Sequence, residues 1–339
     1  MGRYLEYHIM LNPFTVHINI THGEDMDGLS SQVLIRRFWR EQGHPNCEFY
    51  RVKYGSMQEL LEKLSERKFK NTHFVISDVN LMDKFLPALK ILAGKNTSNS
   101  LDYYDHHQFS REKQGELPQK LNVSCHIGPD EKCTTLRIQE HLFPHDPQAI
   151  FLAQEANHSD LKDPGQSPEN RLLGRLIAMK ATANFNDPEI DKIASIIAQP
   201  DFYADPWLRS LMEDNERVCQ ADLQAMLNSA GTRTIRGVKI AYGWAQFASP
   251  GEVATELLRQ KKGEIVIGLN PNGRGSVKSC NSDFPADKIA EMWGGGGHGD
   301  RAGFDWNLED DNYMKFIELN LIPKLTKHFT EMQRVVEKN

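Results

Sequence analysis

Carboxylate and imidazole side chains recur at three places in the first third of the sequence. THGEDMDG (21–28) supplies a histidine and three acids, ISDVN (76–80) supplies an aspartate, and DYYDHH (102–107) ends in an acid and two histidines. The candidate residues are His22, Glu24, Asp25, Asp27, Asp78, Asp105, His106 and His107. Carboxylate and imidazole ligands without a thiolate favour Mn²⁺ over a structural zinc, with Mg²⁺, Co²⁺ or Fe²⁺ as alternatives.

One aspartate at a strand end is usually explained as a helix cap or a turn residue. Several acids on one rim are different, because their mutual repulsion would drive them toward protonation unless cations were bound. Two ions roughly 3.5–4 Å apart, bridged by a carboxylate, are the usual arrangement for hydrolysing phosphate esters. Asp78, alone at its strand end, is the natural bridge. The sequence therefore predicts a two-ion centre.

The elements that must position these residues alternate between strand and helix. Apolar, β-branched or alternating stretches predict strands over 15–21, 47–54 and 72–79, and helical periodicity predicts helices over 29–43 and 57–68. A β-α-β-α-β order implies a parallel sheet covered by helices, with ligands gathered outside the carboxyl ends of the strands. The three polar segments follow strands and so fall at that rim.

Length and composition limit the function classes. At 339 residues the chain is expected to form two domains, and a net charge of −6 without a basic stripe disfavours a long nucleic-acid duplex as partner. Five scattered cysteines without a CxxC pair indicate reduced thiols, typical of a cytoplasmic protein. The first twenty residues show neither a secretion signal nor a membrane span, so we expect no membrane partner.

The motifs THGEDMDG, ISDVN, DHH and the later GGGGHGDRAGF occur in the order found in one known family. Over residues 15 to 305 the chain resembles the DHH phosphoesterase superfamily with its C-terminal DHH-associated domain, and within it nano-RNases and RecJ-like exonucleases. The resemblance implies an α/β fold with three parts. These are a parallel-sheet metal-binding domain over 1–205, a helical connector over 206–231 that could act as a hinge, and a smaller mixed-sheet domain over 232–339 that binds substrate.

The resemblance also implies a role for each residue of the N-terminal motifs. The implied metal ligands are His22 and Asp25 for one ion, Asp27 and His106 for the other, and Asp78 between them. Asp105 would orient an imidazole and His107 would contact the substrate phosphate, so both would take part in catalysis. The spacing of His22 and Asp25 differs from the common family variants, which leaves a ligand role open for Glu24.

The family pattern implies one further ligand about fifty residues after DHH. In FLAQEANHSDLKDP (151–164) Asp160 fits best, Asp163 is the rival, and His158 is better explained as a polar residue on a helix. Between these motifs, Thr134 and Thr135 are interpreted as capping residues of a short helix over 133–143, with no role in the chemistry.

The C-terminal region is predicted to contain a strand over 232–245, a helix over 251–261, strands over 263–270 and 273–280, and a helix over 285–293. Four glycines before His298 could be a flexible linker, but their place between a helix and a strand favours a tight turn that presents amides and an imidazole to an anion. The candidate substrate-binding residues are Arg274, Lys278, Gly295, Gly296, Gly297, His298 and Arg301. Many members of the family have arginine at the position of Lys278, and alanine is frequent at the position of Arg301. The mode of base recognition is therefore left open.

The resemblance implies hydrolysis of short 5′-phosphorylated oligoribonucleotides, including linear dinucleotides such as pGpG or pApA, to mononucleotides by two-metal attack of hydroxide on phosphorus. The protein would be an oligoribonuclease with 3′-5′ exoribonuclease character, using two divalent ions, and a homodimer is left open. Two alternatives remain. One is a small-phosphate hydrolase, acting on phosphoadenosine phosphate or as a manganese pyrophosphatase. The other is a nucleotide-binding sensor.

Overall fold

The computed structural model describes residues 16–44, 46–53, 56–128, 131–161, 166–184, 187–306 and 313–336. The chain divides into two compact units, Met1–Met212 and Glu213–Asn339. None of the described helices is both long enough and apolar enough to cross a bilayer. Asp163, the rival for the last ligand, lies outside the described residues.

The first unit is built on a five-stranded sheet with the order β2-β1-β3-β4-β5. All neighbouring strands pair in parallel, which confirms the predicted sheet. The strands are β1 (Val16–His22), β2 (Cys47–Val52), β3 (Thr72–Ser77), β4 (Ser100–Asp105) and β5 (Val123–Ile127).

Helices connect these strands and follow them. They are α1 (Met26–Glu41), α2 (Met57–Glu66), α3 (Leu86–Ala93), α4 (Gln108–Lys113), α5 (Leu117–Lys120), α6 (Thr134–Leu142), α7 (Pro147–Leu161), α8 (Pro168–Ala183), α9 (Pro188–Ile197) and α10 (Pro206–Ser229). Ser167 and Asp187 cap α8 and α9 through their side chains, each followed by a proline whose missing N–H costs nothing at a helix start.

The two faces of the parallel sheet differ. One face carries Ile18, Ile20 and Phe74 in an apolar core that also contains α2 and α3. The other face lies against α1 and α6 to α9, whose apolar side chains form a second core with Val75 and Tyr104. This second face is partly polar: its strand β1 buries His17, Asn19 and Thr21. Apolar patterning alone would not predict buried imidazole and amide groups there.

The second unit contains a six-stranded mixed sheet with the order β10-β11-β9-β8-β7-β6. Its strands are β6 (Gly231–Ile235), β7 (Val238–Trp244), β8 (Ile265–Leu269), β9 (Arg274–Ser279), β10 (Gly296–His298) and β11 (Arg301–Asp305). Its helices are α11 (Pro250–Arg259), α12 (Ala286–Glu291), α13 (Tyr313–Phe316) and α14 (Ile322–Val336), with a π-helical turn over Ile317–Leu321.

The prediction of a single strand over 232–245 was wrong, because this stretch folds as the antiparallel pair β6 and β7. Arg236 and Gly237 between them both have positive φ, 51° and 83°. Two such residues form the tight turn whose twist matches that of a hairpin. The remaining predicted elements of this region correspond to α11, β8, β9 and α12.

Candidate metal centre

The ligand-bearing segments lie at the carboxyl ends of three neighbouring strands. Strand β1 ends at His22, Asp78 directly follows β3, and β4 ends at Asp105. Because β1, β3 and β4 are adjacent in the sheet, these ends meet at one rim. Two helices reach the same rim: α1 carries Asp27 in its first turn, and α7 carries Asp160 near its end.

Two local features of the sequence shape this rim. Gly28 lets α1 begin directly against β1, since a Cβ there would stand 1.9 Å from the carbonyl oxygen of His22. Its own amide donates to Asp25, the N-cap of α1, at 2.9 Å. Asp78 adopts the left-handed conformation with φ 57°, which aspartate tolerates better than most residues. Only a restricted set of residue types can therefore occupy these positions.

A first ligand group consists of His22, Asp25 and Asp78. The Nδ1 atom of His22 lies 3.1 Å from Oδ2 of Asp25 and 3.5 Å from Oδ2 of Asp78. One nitrogen and two oxygens thus face a common point from the end of β1, the start of α1 and the end of β3.

A second ligand group consists of Asp27, His106 and Asp160. The Nε2 atom of His106 lies 4.0 Å from Oδ2 of Asp27 and 3.6 Å from Oδ2 of Asp160. The same nitrogen is 3.7 Å from Oδ1 of Asp78, whose Oδ2 faces the first group. Asp78 therefore offers one carboxylate oxygen to each group, which is the geometry that a bridging ligand requires.

The charges at the rim need compensation. Asp27, Asp78 and His106 are each at most 8% exposed. Burial, reinforced by the charges of Asp27 and Asp25, raises the pKa of Asp78 well above its ordinary value. Burial and the charge of Asp27 likewise raise the pKa of Asp160 to about 6. Like charges held this close favour divalent cations, and oxygen and imidazole donors suit Mn²⁺, Mg²⁺ or Co²⁺. The residues present therefore fit two divalent ions.

The buried Asp105 pairs with the half-buried His107, and the two form a third candidate ligand group with Asp78 and His106. The Nδ1 atom of His107 lies 2.7 Å from Oδ1 of Asp105, which also accepts the backbone N–H of His106 at 2.9 Å. Although burial works against the charge, the hydrogen bond with Asp105 raises the pKa of His107. Asp105 thus orients the ring of His107 and only the backbone of His106.

Glu24 lies on the far side of the His22 ring. Its Oε2 is 3.3 Å from Nε2 of His22, whereas Nδ1 of His22 faces Asp25 and Asp78. Burial opposes protonation of His22, but hydrogen bonds with these three carboxylates raise its pKa to about 12. Among the described residues Glu24 is in none of the ligand groups. Its position suits a group that orients His22.

Two residues at this rim have contacts that the sequence does not predict. Thr134 and Thr135, to which the sequence assigns no chemistry, contact the carboxylates of Asp78 and Asp27. The adjacent threonines were visible, but their partners lie 56 and 108 residues away in sequence. His158 is in none of the ligand groups found among the described residues.

In the second unit the glycine run is ordered as part of a hairpin. Gly296–His298 form the edge strand β10, antiparallel to β11. A Cβ on Gly295 would stand 2.1 Å from the carbonyl oxygen of Gly303, and Gly297 has φ 155°. Gly296 faces open space. Close packing accounts for Gly295 and positive φ for Gly297, whereas neither applies to Gly296. The segment is a strand and not only the tight turn that the sequence predicts.

The strand register brings three cationic or imidazole residues into one row. Arg301 pairs with His298 on β10 and with Lys278 on β9, so the three side chains project from the same face. Arg274 lies four residues before Lys278 on β9, about 13 Å away at the rise of a strand, and pairs with Asp305 on β11. The structure thus gathers His298, Arg301 and Lys278, and leaves Arg274 outside this row.

Comparison with known proteins yields structural neighbours only. No protein-family model and no curated protein matches the chain. A pGpG-specific phosphodiesterase, PggH, from Vibrio cholerae is 12% identical, with 92% of this chain and 99% of that chain covered at a TM-score of 0.50. RecJ from Thermus thermophilus, solved in complex with Mn²⁺, is 18% identical, with 86% of this chain covered at a TM-score of 0.52. The match spans 49% of that RecJ chain.

At identities this low, the similarity concerns the fold alone. The parallel five-stranded sheet followed by a mixed sheet is the α/β fold that the sequence predicts, and it is similar to the fold of RecJ. The chain thus combines this fold with a carboxylate and imidazole centre at the carboxyl ends of the parallel strands.

Proposed function

We propose that the chain belongs to the DHH superfamily and is a metal-dependent phosphodiesterase. Its proposed substrates are short 5′-phosphorylated oligoribonucleotides, especially linear dinucleotides such as pGpG or pApA, which it hydrolyses to mononucleotides. The observation that carries this proposal is the position of Asp78, which faces His22 through one carboxylate oxygen and His106 through the other.

The ligand groups define which residues would hold the ions, with Mn²⁺ as the first candidate. Two divalent ions held by these groups would polarise the phosphoryl oxygens and activate the attacking water. His107 supports the same reaction from the protein side. Its Nδ1 is engaged by Asp105, which orients the ring, and its Nε2 would donate to a non-bridging phosphate oxygen. Because Asp105 favours the protonated ring, His107 can balance charge that develops on the phosphate.

The row of His298, Arg301 and Lys278 supports a role for the second unit in binding the nucleotide. Two cationic side chains and an imidazole on one face of the sheet suit an anionic ligand such as a phosphate. The row crosses three neighbouring strands and therefore spans about 10 Å. That length suits one phosphate with its nucleoside and not a long strand.

The overall charge also favours a short substrate. A protein that tracks a long nucleic acid usually carries a continuous basic surface, whereas this chain has 40 basic and 46 acidic residues. The Vibrio cholerae neighbour is described as specific for pGpG, which makes a dinucleotide the first substrate to test.

The proposal is tested with purified protein stripped of metal by EDTA and then supplied with Mn²⁺, Mg²⁺ or Co²⁺. The substrates are pGpG, pApA, 5′-phosphorylated oligoribonucleotides of three to twenty nucleotides, phosphoadenosine phosphate and pyrophosphate, with products separated by chromatography. Asp78→Asn serves as the inactive control and Asp83→Asn as the matched active control, because Asp83 is an exposed aspartate of the same unit.

We expect Mn²⁺-dependent release of mononucleotides, fastest from dinucleotides and lost in Asp78→Asn. Turnover of pyrophosphate or phosphoadenosine phosphate without turnover of dinucleotides would overturn the substrate class. Binding of a dinucleotide without turnover under any of the three metals would make the protein a sensor.

A further inference from the structure

The N-terminus of α6 is built around the carboxylate of Asp27. The backbone N–H of Thr135 donates to Oδ1 of Asp27 at 2.7 Å and its hydroxyl contacts the same oxygen at 2.6 Å. The N–H of Thr134 donates to Oδ2 at 2.8 Å. Thr134, Thr135 and Asp27 are all buried. The hydroxyl of Thr135 also lies 2.8 Å from the backbone carbonyl oxygen of Asp27, so its single proton has two acceptors on the same residue. When the proton is directed at Oδ1, that oxygen accepts two hydrogen bonds, and Oδ2 keeps one acceptor direction.

The same helix end also contacts the other ligand-bearing elements. The hydroxyl of Thr134 donates to Oδ1 of Asp78 at 3.2 Å. The backbone N–H of Cys133 donates to Oδ1 of Asn157 at 2.8 Å, and Asn157 lies on α7 one turn before Asp160. The first turn of α6 is therefore attached to α1, to the end of β3 and to α7.

Asp27 takes the place that a capping side chain normally occupies. The N-cap of α6 is Cys133, whose side chain makes no capping hydrogen bond. The first N–H groups of a helix need acceptors, and the positive end of the helix dipole favours an anion. Capping accounts for the two backbone N–H groups that donate to Asp27. Here the hydroxyl of Thr135 adds a further donor to the same oxygen, and Ser31 lies 3.0 Å from that hydroxyl.

We propose that Thr134 and Thr135 are positioning residues of the metal centre. Thr135 occupies Oδ1 of Asp27 so that only Oδ2, the oxygen nearest His106, is presented to an ion. Thr134 holds Oδ1 of Asp78, the oxygen that faces the second ligand group. This inference rests on the two-ion centre of the proposed function, and it concerns how the second group is held.

The proposal predicts unequal effects on the two ion sites. Loss of the Thr135 hydroxyl leaves Oδ1 of Asp27 with the backbone N–H of Thr135 alone, so the carboxylate is held less firmly. The second group should therefore lose affinity while the group of His22, Asp25 and Asp78 keeps it. Substitution of a group that orients a metal ligand typically costs about 10- to 100-fold in metal affinity. Loss of the Thr134 hydroxyl should cost less, because its hydrogen bond to Asp78 is longer.

The test compares Thr135→Val, Thr135→Ser and Thr134→Val with the wild type. Mn²⁺ binding is followed by titration calorimetry, and spin coupling between the two ions by electron paramagnetic resonance. Thr72→Val is the matched control, because Thr72 is an equally buried threonine at the opposite end of β3 whose hydroxyl donates to a backbone carbonyl at 3.2 Å. Melting temperatures in EDTA monitor the fold.

We expect Thr135→Val to weaken one of two Mn²⁺ sites by about 10- to 100-fold and to reduce the coupled signal at low Mn²⁺, with Thr135→Ser close to the wild type. Thr72→Val should bind like the wild type. Unchanged Mn²⁺ binding in a folded Thr135→Val protein would overturn the proposal. If that variant does not fold, unchanged binding in Thr134→Val would overturn it instead. A wild type that binds no Mn²⁺ would refute the proposed function and not this inference alone.

Discussion

Replacing Asp160 with asparagine should stabilise the metal-free protein while weakening its response to metal. Burial and the charge of Asp27 raise the pKa of Asp160 from 3.8 to about 6. One pKa unit corresponds to about 1.4 kcal/mol, so ionising Asp160 in the folded protein costs about 3 kcal/mol. The pKa of Asp160 is higher in the folded protein than in the unfolded chain. The wild type therefore has its full stability at low pH and loses this amount of unfolding free energy as the pH rises from about 4 through 6.

An asparagine at this position cannot ionise, so the variant keeps its stability as the pH rises. The difference in unfolding free energy between Asp160→Asn and the wild type should therefore move by about 3 kcal/mol in favour of the variant between pH 4 and pH 7.5. For a unit of this size that is roughly 6 to 12 °C in melting temperature. Denaturant unfolding in EDTA at several pH values measures it. Asp83→Asn, which replaces an exposed aspartate, should show no such change of stability with pH relative to the wild type.

Addition of Mn²⁺ should reverse the order of stability. A ligand at one thousand times its Kd stabilises a protein by about 4.1 kcal/mol for each site, which exceeds the difference of about 3 kcal/mol in EDTA. The wild type should gain from two sites, whereas Asp160→Asn should gain mainly from the group that contains His22 and Asp25. A pH-independent difference in EDTA, or equal stabilisation of both proteins by Mn²⁺, would refute the assignment of Asp160 to the centre.

Three further predictions concern other parts of the molecule. Asp78→Ala should abolish hydrolysis of every substrate while the protein stays folded, and substantial Mn²⁺-dependent activity would contradict its bridging role. His298→Ala should lower kcat/KM for a dinucleotide roughly 10²-fold, as expected for loss of a charge-assisted contact of about 3 kcal/mol, yet affect bis(p-nitrophenyl) phosphate far less. Equal losses on both substrates would remove His298 from substrate binding. Burial, aided by His44 and His73, lowers the pKa of His17 to about 3. Because His17 is protonated more readily in the unfolded chain, the wild type loses stability as the pH falls below about 6.5. The unfolding free energy of His17→Phe should therefore exceed that of the wild type by about 2 kcal/mol at pH 5, measured by thermal unfolding. A gain that does not change between pH 7 and pH 5 would contradict this.

The fold and the ligand-bearing segments could be predicted because they depend on local patterns. Strand and helix periodicity located β1, β2, β3, α1 and α2 to within a few residues, and the carboxyl ends of parallel strands necessarily share one edge. Turn chemistry was less visible. The positive φ of Arg236, a non-glycine residue, concealed the hairpin of β6 and β7.

The arrangement within the centre could not be predicted, because it depends on contacts between distant residues. Nothing in the sequence around Thr135 indicates a hydrogen bond to Asp27, and the motif around His22 does not indicate which ring nitrogen faces Glu24. Strand register separates Arg274 from the row that contains Lys278 and Arg301. The sequence of one strand does not reveal its register, because register is fixed by pairing with the neighbouring strands.

The spread of the ligands along the chain has a consequence for how the centre assembles during synthesis. The first group needs only residues up to Asp78, whereas the second also needs Asp160. At about 5 to 20 residues per second, the 82 residues between these positions take roughly 4 to 16 s to appear. Pairing of parallel strands through long crossovers is slow as well. A growing chain can therefore complete the first ligand group seconds before the second, and the proposed centre closes only when α7 has been made.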